Sequence, residues 1–348
     1  MKLFIISIIS ILFVCFCQNK QEYDPVFIGS DSELYFNSIV DSALVLPLEM
    51  KEDFIVGEVS KMNFMDSLCF ILDKKTNSIY SFNELGTHVG TLNKHGQGPE
   101  EYLSIYDFDI DRENKRINLL CYPPMIMITD LDFNLDSIIK LDNYFERIAV
   151  HDGEVYLYSD QDRSLNVLNV PDGKIKQILV EKNMPQLFMA DELVFHHIGN
   201  ELLYIAVGSD IVHQIEDGQV KDLFVLDYDS KKTIKRLMKD QKQLSPQELL
   251  QYSPPRIQTI YKQKDDYCMI YIYKSLVRNC KLSTVSNQVL EDGLLINKSN
   301  NPILMYDNKL IAWEYIIDGE VSVDTKNSYL RPASEQEDLA VVMYTLEN

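Results

Sequence analysis

The stretch Ser67–Leu92, SLCFILDKKTNSIYSFNELGTHVGTL, holds the unit that decides the fold. An apolar run (SLCFIL, 67–72) passes through a polar turn into a second run (SIYSFN, 78–83). Leu85, Gly86 and Thr87 then lead into a third run, His88 to Leu92. Short runs rich in Ile, Leu, Tyr and Phe between turn residues are strands. The unit recurs. Its apolar lead strand returns as Arg116–Cys121 (RINLLC), Glu154–Tyr158 (EVYLY), Glu201–Val207 (ELLYIAV), Tyr267–Tyr273 (YCMIYIY) and Lys309–Tyr315 (KLIAWEY). The starts lie about 40 to 65 residues apart, the spacing of four-stranded propeller blades with one longer insertion.

The unbroken apolar character of these strands is informative. A sheet with one wet face alternates, whereas a strand covered on both faces reads as a continuous hydrophobic run. Six such units predict an all-β, six-bladed β-propeller of four-stranded blades. Third and fourth strands follow at Ile126–Asp130 with Ser137–Leu141, Asn166–Asn169 with Ile175–Val180, and Ile211–Ile215 with Val220–Leu226. The turns between them carry Asp132 to Asn134, Pro171-Asp172-Gly173 and Asp217-Gly218. A ring closes only if its ends share a blade. Ala43–Leu48 stands before the first unit and Leu339–Leu346 (LAVVMYTL) ends the chain, so the N-terminal strand is expected to complete the sixth blade.

The rhythm breaks between the fourth and fifth units. Asp229 to Arg256 carries Lys231, Lys232, Lys235, Arg236, Lys239 and Lys242, then Ser245-Pro246-Gln247-Glu248, which has the form of a helix capping box. A short helical insertion is expected there, and its basic first half is a candidate contact for an anionic partner.

The N-terminus is an address. Lys2 precedes the apolar run Leu3 to Val14, which ends at Cys15, Phe16 and Cys17. The run is shorter than the about 20 residues a spanning helix needs and has the form of a secretory signal peptide. A cysteine directly after the apolar run resembles a bacterial lipoprotein signal. Cys17 is the expected lipidation site because the polar tail Gln18 to Gln21 follows it. Cys15, and secretion without lipid, are the alternatives. The expected division is signal peptide 1–16, lipid-attached tether 17–37 and propeller 38–348, in the cell envelope at the outer membrane.

The chain has 348 residues, 46% of them hydrophobic, and a formal charge of -20 from 33 Lys+Arg and 53 Asp+Glu. That is too apolar for a disordered chain and too acidic for a reader of phosphate backbones, so nucleic acid is not an expected partner. Cys69, Cys121, Cys268 and Cys280 remain beyond the leader. They are too sparse for a disulfide scaffold. Cys268 and Cys280 flank an expected hairpin near Lys274, where a bond between them is the alternative to two buried thiols.

After the first unit the chain reads His95-Gly96-Gln97-Gly98-Pro99-Glu100-Glu101-Tyr102, followed by the strand Ile105–Ile110. With the preceding hairpin, in which Phe82, Gly86 and Gly90 are evenly spaced, this resembles the GxGPGEY loop of TolB-like, NHL-like six-bladed propeller lipoproteins of Gram-negative envelopes. Glu100 departs from it, standing where those proteins carry glycine. The resemblance runs from about residue 38 to the end. Gly96, Gly98, Pro99, Glu101 and Tyr102 are expected to act structurally: the glycines open backbone angles closed to other residues, Pro99 stiffens the crossing, and Tyr102 buries its ring with its hydroxyl bonded. No Gly-Lys-Ser/Thr ending supports a phosphate cradle.

Marks of catalysis are missing from the linear sequence. No HExxH, GxSxG or Cys/His arrangement occurs. The run Asp107, Asp109, Asp111, Glu113, Asn114 fails as an EF-hand, since its sixth and twelfth positions are Arg112 and Asn118. A calcium ion in the channel, with ligands from separate blades, has no linear signature and stays open. No cofactor and no metal are implied. A propeller offers a funnel at one end of its channel, and by position the candidate ligand-binding residues are Tyr102, Arg147, His196 and Arg256, with Tyr122, Gln161, Lys274 and Arg278 from second-to-third-strand loops. Aromatics and Arg suit sugar or carboxylate recognition. The expected function is an envelope-anchored, noncatalytic propeller that binds a ligand, glycan or protein. The alternative is a metal-dependent, lactonase-like hydrolase or lyase with its site in the channel.

Overall fold

The computed structural model describes residues 25–51, 54–170, 173–181, 193–239, 252–286, 288–297, 304–306, 309–316, 320–321, 323, 325, 327–330 and 339–347. Six sheets hold nearly all of them. Blade 1 runs Val59–Met65, Leu68–Asp73, Ser78–Asn83 and His88–Leu92; blade 2 runs Ser104–Asp111, Arg116–Tyr122, Met125–Asp130 and Leu135–Lys140. Blade 3 begins at Arg147–His151, blade 4 at Phe195–Ile198, blade 5 at Arg256–Gln263 and blade 6 at Leu304–Tyr306. Each of blades 1 to 5 is a four-stranded antiparallel meander whose first strand is innermost.

Six clusters of buried apolar side chains hold the ring together, one at each junction between neighbouring blades. The second strand of blade 1 shows why its sequence is continuously apolar. Phe70 and Leu72 pack with Phe108 and Ile110 of blade 2, whereas Cys69 and Ile71, on the opposite face, pack with Val341 and Leu48 of blade 6. Burying each large apolar side chain stabilises by about 1.5–3 kcal/mol.

The N-terminal strand completes blade 6. Val40–Leu48 lies antiparallel to Leu339–Leu346, with Val45 opposite Val342 and Leu48 opposite Leu339. Asn327–Leu330 adds a parallel strand outside it. Ahead of this, a segment assigned from sequence to a plain tether forms structure. Val26–Phe27 pairs in parallel with the outermost strand of blade 4, and Glu33–Tyr35 with that of blade 5. The N-terminal segment therefore runs along the rim and covers two exposed sheet edges, the places where a foreign strand would otherwise add.

Asp292 fixes this strap. Its Oδ2 accepts the Gly29 and Ser30 N–H groups at 2.7 and 2.6 Å, and its Oδ1 the Tyr271 hydroxyl at 2.5 Å. Gly293 allows the close approach, because a Cβ there would lie 2.3 Å from the Ser32 carbonyl oxygen.

Helix α1 (Lys231–Lys239) stands in the insertion after blade 4; the box at Ser245 to Glu248 lies outside the described residues, as does the leader with Cys17. The expected basic contact needs correction at its first residue. Lys231 is buried, its Nζ bonded to the Leu226 carbonyl at 2.6 Å and Asp210 at 2.7 Å, so it locks the helix to blade 4, whereas Lys232 and Arg236 are exposed. Among the described residues no helix is long and apolar enough to cross a membrane.

Cys268 and Cys280 do not face each other. Cys268 pairs with Lys281 and Cys280 with Met269, so the one-residue offset sends the two thiols to opposite faces of blade 5. All four described cysteines are free and buried.

The Gly96–Tyr102 loop closes on itself: Gly96 N–H bonds to the Tyr102 carbonyl at 2.9 Å and Tyr102 N–H to the Lys94 carbonyl at 3.0 Å. Tyr102 is wholly buried, and its hydroxyl donates to the Asn77 carbonyl at 3.0 Å while accepting Lys94 N–H at 3.1 Å. The reason for glycine differs from the expected one. Neither Gly96 nor Gly98 has a positive φ; both make room for Glu101, whose Oε2 accepts Gly98 N–H at 2.6 Å and would lie 2.0 Å from a Cβ on residue 96.

Candidate functional site

The innermost strands wall a central channel of ≈ 490 Å³, within the about 300–1,000 Å³ usual for small-molecule pockets. The first strand of a blade has a neighbour on one side only, so its free edge must be satisfied by side chains or by whatever occupies the channel.

A carboxylate pair does this on one side. Asp107 and Asp109 are two residues apart on the inner strand of blade 2. Both are buried, and they accept the backbone N–H groups of Ile148 (2.9 Å) and Val150 (2.8 Å) on the inner strand of blade 3. Blade 1 supplies cationic and amide donors: Lys61 Nζ reaches Asp107 at 2.8 Å and Asn63 Nδ2 reaches Asp109 at 2.6 Å. His197 of blade 4 reaches Asp109 Oδ2 through its Nε2 at 2.8 Å. Asp109 thus ties blade 2 to blades 1, 3 and 4. Burial alone would raise its carboxyl pKa, but the charge and hydrogen bond of His197, with Lys61 and the Val150 N–H, hold it well below the usual range. The acidic run that suggests calcium in the sequence is structural here. Among the described residues no three His, Cys, Asp or Glu side chains gather to hold a metal ion.

Three polar atoms of other wall residues are left without a partner. Ser60, His196 and Gln258 line the channel, and Ser60 Oγ, His196 Nε2 and Gln258 Oε1 are buried with no hydrogen-bond partner among the described residues. Ser60 and Gln258 occupy corresponding places, each the extra residue of a β-bulge in an inner strand, between Val59 and Lys61 in blade 1 and between Ile257 and Thr259 in blade 5. Bulges re-aim side chains and concentrate at functional sites. His196 bonds to the Leu193 backbone through its other ring nitrogen, which leaves Nε2 as a bare acceptor. Burial, reinforced by the neighbouring His197, pushes its pKa down to about 3, so the ring stays neutral.

Of the residues expected at the site, His196 and Arg256 stand on the channel wall. Arg147 lines a small pocket at its edge with Lys61 and Lys74. Tyr122 stacks on Tyr144 at a centroid distance of 5.8 Å, beside Tyr106. The others lie elsewhere. Tyr102 is buried in the loop between blades 1 and 2. Gln161 is exposed on the turn between the second and third strands of blade 3, and Lys274 is exposed on the corresponding turn of blade 5, with Asp229 3.2 Å away. Arg278 is 1% exposed, because its guanidinium binds the Ser30 carbonyl and Asp31 (2.9 Å) of the N-terminal strap. Sequence reasoning missed Ser60 and Gln258, since bulges leave no periodic trace, and Arg112, which bonds to the Phe64 carbonyl at 3.0 Å and lies 5.5 Å over the Tyr306 ring.

Solved structures that resemble this one include two from Bacteroides. An exported protein of Bacteroides fragilis aligns with a TM-score of 0.71 at 12% identity, covering 93% of this chain and all of that one. A member of the DUF4221 family from Bacteroides vulgatus aligns at 0.56 and 10%, covering 89% and 98%. At such identities the likeness is one of fold. No match was found among curated proteins. Residues 24–333 match the family described as a domain of unknown function, DUF4934, and since that span takes in nearly the whole ring, the chain belongs to the DUF4934 family.

Proposed function

We propose that this protein is an envelope lipoprotein, anchored through Cys17, whose propeller binds a small polar ligand in its central channel without covalent chemistry. One observation carries the reading: Ser60, His196 and Gln258 line one channel, and their Oγ, Nε2 and Oε1 atoms are buried at its wall with no partner among the described residues. Each such atom left unpaired costs about 1–3 kcal/mol, and a ligand that bonds to them offsets that cost. A purely binding role is supported by Ser60: its hydroxyl has no hydrogen-bond partner, hence no base placed to take its proton. Within the propellers, the Gly96–Tyr102 loop favours kinship with the TolB-like, NHL-like lipoproteins.

Binding is tested by screening sugars, carboxylates and amino acids for a rise in melting temperature. At least one class should stabilise the wild type and leave Gln258→Leu unmoved. A screen in which nothing stabilises the protein, or in which Gln258→Leu responds equally, refutes the reading.

Export is supported by the leader and by the exported B. fragilis neighbour. Cys17→Ser should move the protein from the membrane pellet to the soluble fraction and end fatty-acid labelling. If both persist in Cys17→Ser and vanish in Cys15→Ser, the anchor is Cys15.

A further inference from the structure

We infer that the rim of blades 4 and 5 lies against an anionic phospholipid surface, held there by helix α1 and the N-terminal strap. The inference rests on the anchor at Cys17 and adds which part of the ring the anchored protein turns to its membrane.

Reach comes first. Val26, where the strap joins the edge of blade 4, stands nine residues after Cys17. Nine residues span at most about 30 Å even when fully extended. The strap cannot drift along the ring, because it pairs with blades 4 and 5, Asp292 binds Gly29 and Ser30, and Arg278 binds Asp31. A ring anchored through Cys17 therefore keeps this part of its rim close to the bilayer.

Charge comes second. Helix α1, KKTIKRLMK, carries five cations and no acidic residue. Its Ile234 is buried in one cluster with Val26 and Ile28 of the strap, so the helix stands beside the point where the tether joins the fold. The neighbouring charges cancel in pairs: Lys231 with Asp210, Lys274 with Asp229 and Arg278 with Asp31. Asp227 accepts the Tyr228 N–H. Lys232 and Arg236 are exposed and have no ion pair among the described residues. Four positions apart, they share one face of the helix. On a chain of formal charge -20, that face is a local reversal that attracts an anionic surface.

Apolar surface comes third. Phe27 and Tyr35, the two aromatic residues of the strap, are 54% and 52% exposed, and Ile296, paired with Tyr35, is 38% exposed. Aromatic rings sit at the headgroup level of a bilayer, with cations among the phosphates. A soluble polyanion would match the cations alone. A lipid surface matches the cations, the exposed rings and the short tether together.

Lysine acetylation, read by mass spectrometry, tests the contact on the full-length lipoprotein reconstituted on vesicles of phosphatidylcholine, with or without phosphatidylglycerol. Each Lys or Arg near an anionic bilayer strengthens surface binding by about fivefold. Lys232 should therefore react at least about fivefold more slowly on the vesicles with phosphatidylglycerol. Lys140, exposed on the outer strand of blade 2, should react equally on both. Molar salt, in which charges are screened beyond about 3 Å, should restore the Lys232 rate. Arg236→Glu should remove the protection of Lys232 without lowering the melting temperature, since Arg236 is exposed. Equal Lys232 rates on the two vesicle types overturn the inference, as does protection of Lys140 in its place or protection that survives both molar salt and Arg236→Glu. Flotation of the protein with both vesicle types but without protection removes the docking and leaves the anchor, whereas failure to float with either removes both.

Discussion

Val45→Asp opens the ring. Val45 is wholly buried in the strand that completes blade 6, opposite Val342 of the C-terminal strand. A carboxylate there has no partner, and burying it unpaired costs several kcal/mol. The expected loss exceeds about 4 kcal/mol, a large part of the 5–15 kcal/mol that holds an ordinary domain together. The expected result is unfolded or insoluble protein. Leu44→Asp is the matched control, one residue away on the other face of the strand and 44% exposed. It should shift the urea midpoint by no more than about 0.5 kcal/mol equivalent. Equal behaviour of the two variants would mean that the N-terminal strand does not close the ring.

Asp109→Ala should be the most damaging substitution on the channel wall. It removes the acceptor of Val150 N–H, Asn63 Nδ2 and His197 Nε2 together, leaving donors from three blades unpaired. Breaking a buried charge pair from one side costs about 3–5 kcal/mol. The effect depends on pH in a definite sense. The Asp109 carboxyl is held below its ordinary value of 3.8 in the folded protein. Its stabilisation is therefore fully present above the unfolded value and lost as pH falls below about 4 toward the folded one. The gap in urea midpoint between wild type and Asp109→Ala should be wide at pH 7 and narrow toward pH 2.5. A gap that widens on acidification would show that the carboxylate is not stabilised by these donors.

The blades were legible because their second strands are buried on both faces. Cys69 and Phe70 point to different blades, yet both must be apolar, so the strand reads as one hydrophobic run whatever its register. The strap along blades 4 and 5 was not legible. Two residues at Val26 and three at Glu33 are too few to show a period, and the strands they pair with, at Leu226 and Leu294, are distant in the chain. The same strap also withdrew Arg278, which looked like a funnel residue by position and is neutralised by Asp31.

At the channel, His196 and Arg256 could be placed because the start of an inner strand is a position in a repeating unit. Ser60 and Gln258 could not, because a bulge adds a residue to one strand alone and turns a side chain that simple alternation would put elsewhere. At Gly96 the need for glycine comes from the Glu101 carboxylate folding over it, a contact that backbone propensity does not encode.

By itself, the sequence determined the number of blades and the shared sixth blade, since each follows from patterns repeated or bounded along the chain. Tertiary structure alone decided which polar groups meet. Asp107, Asp109, Lys61 and His197 come from three blades and satisfy one another, whereas Ser60, His196 and Gln258 also come from three blades and each keeps a buried polar atom without a partner among the described residues. The difference lies in where ring closure places donors and acceptors of distant strands, and no spacing along the chain records that distance.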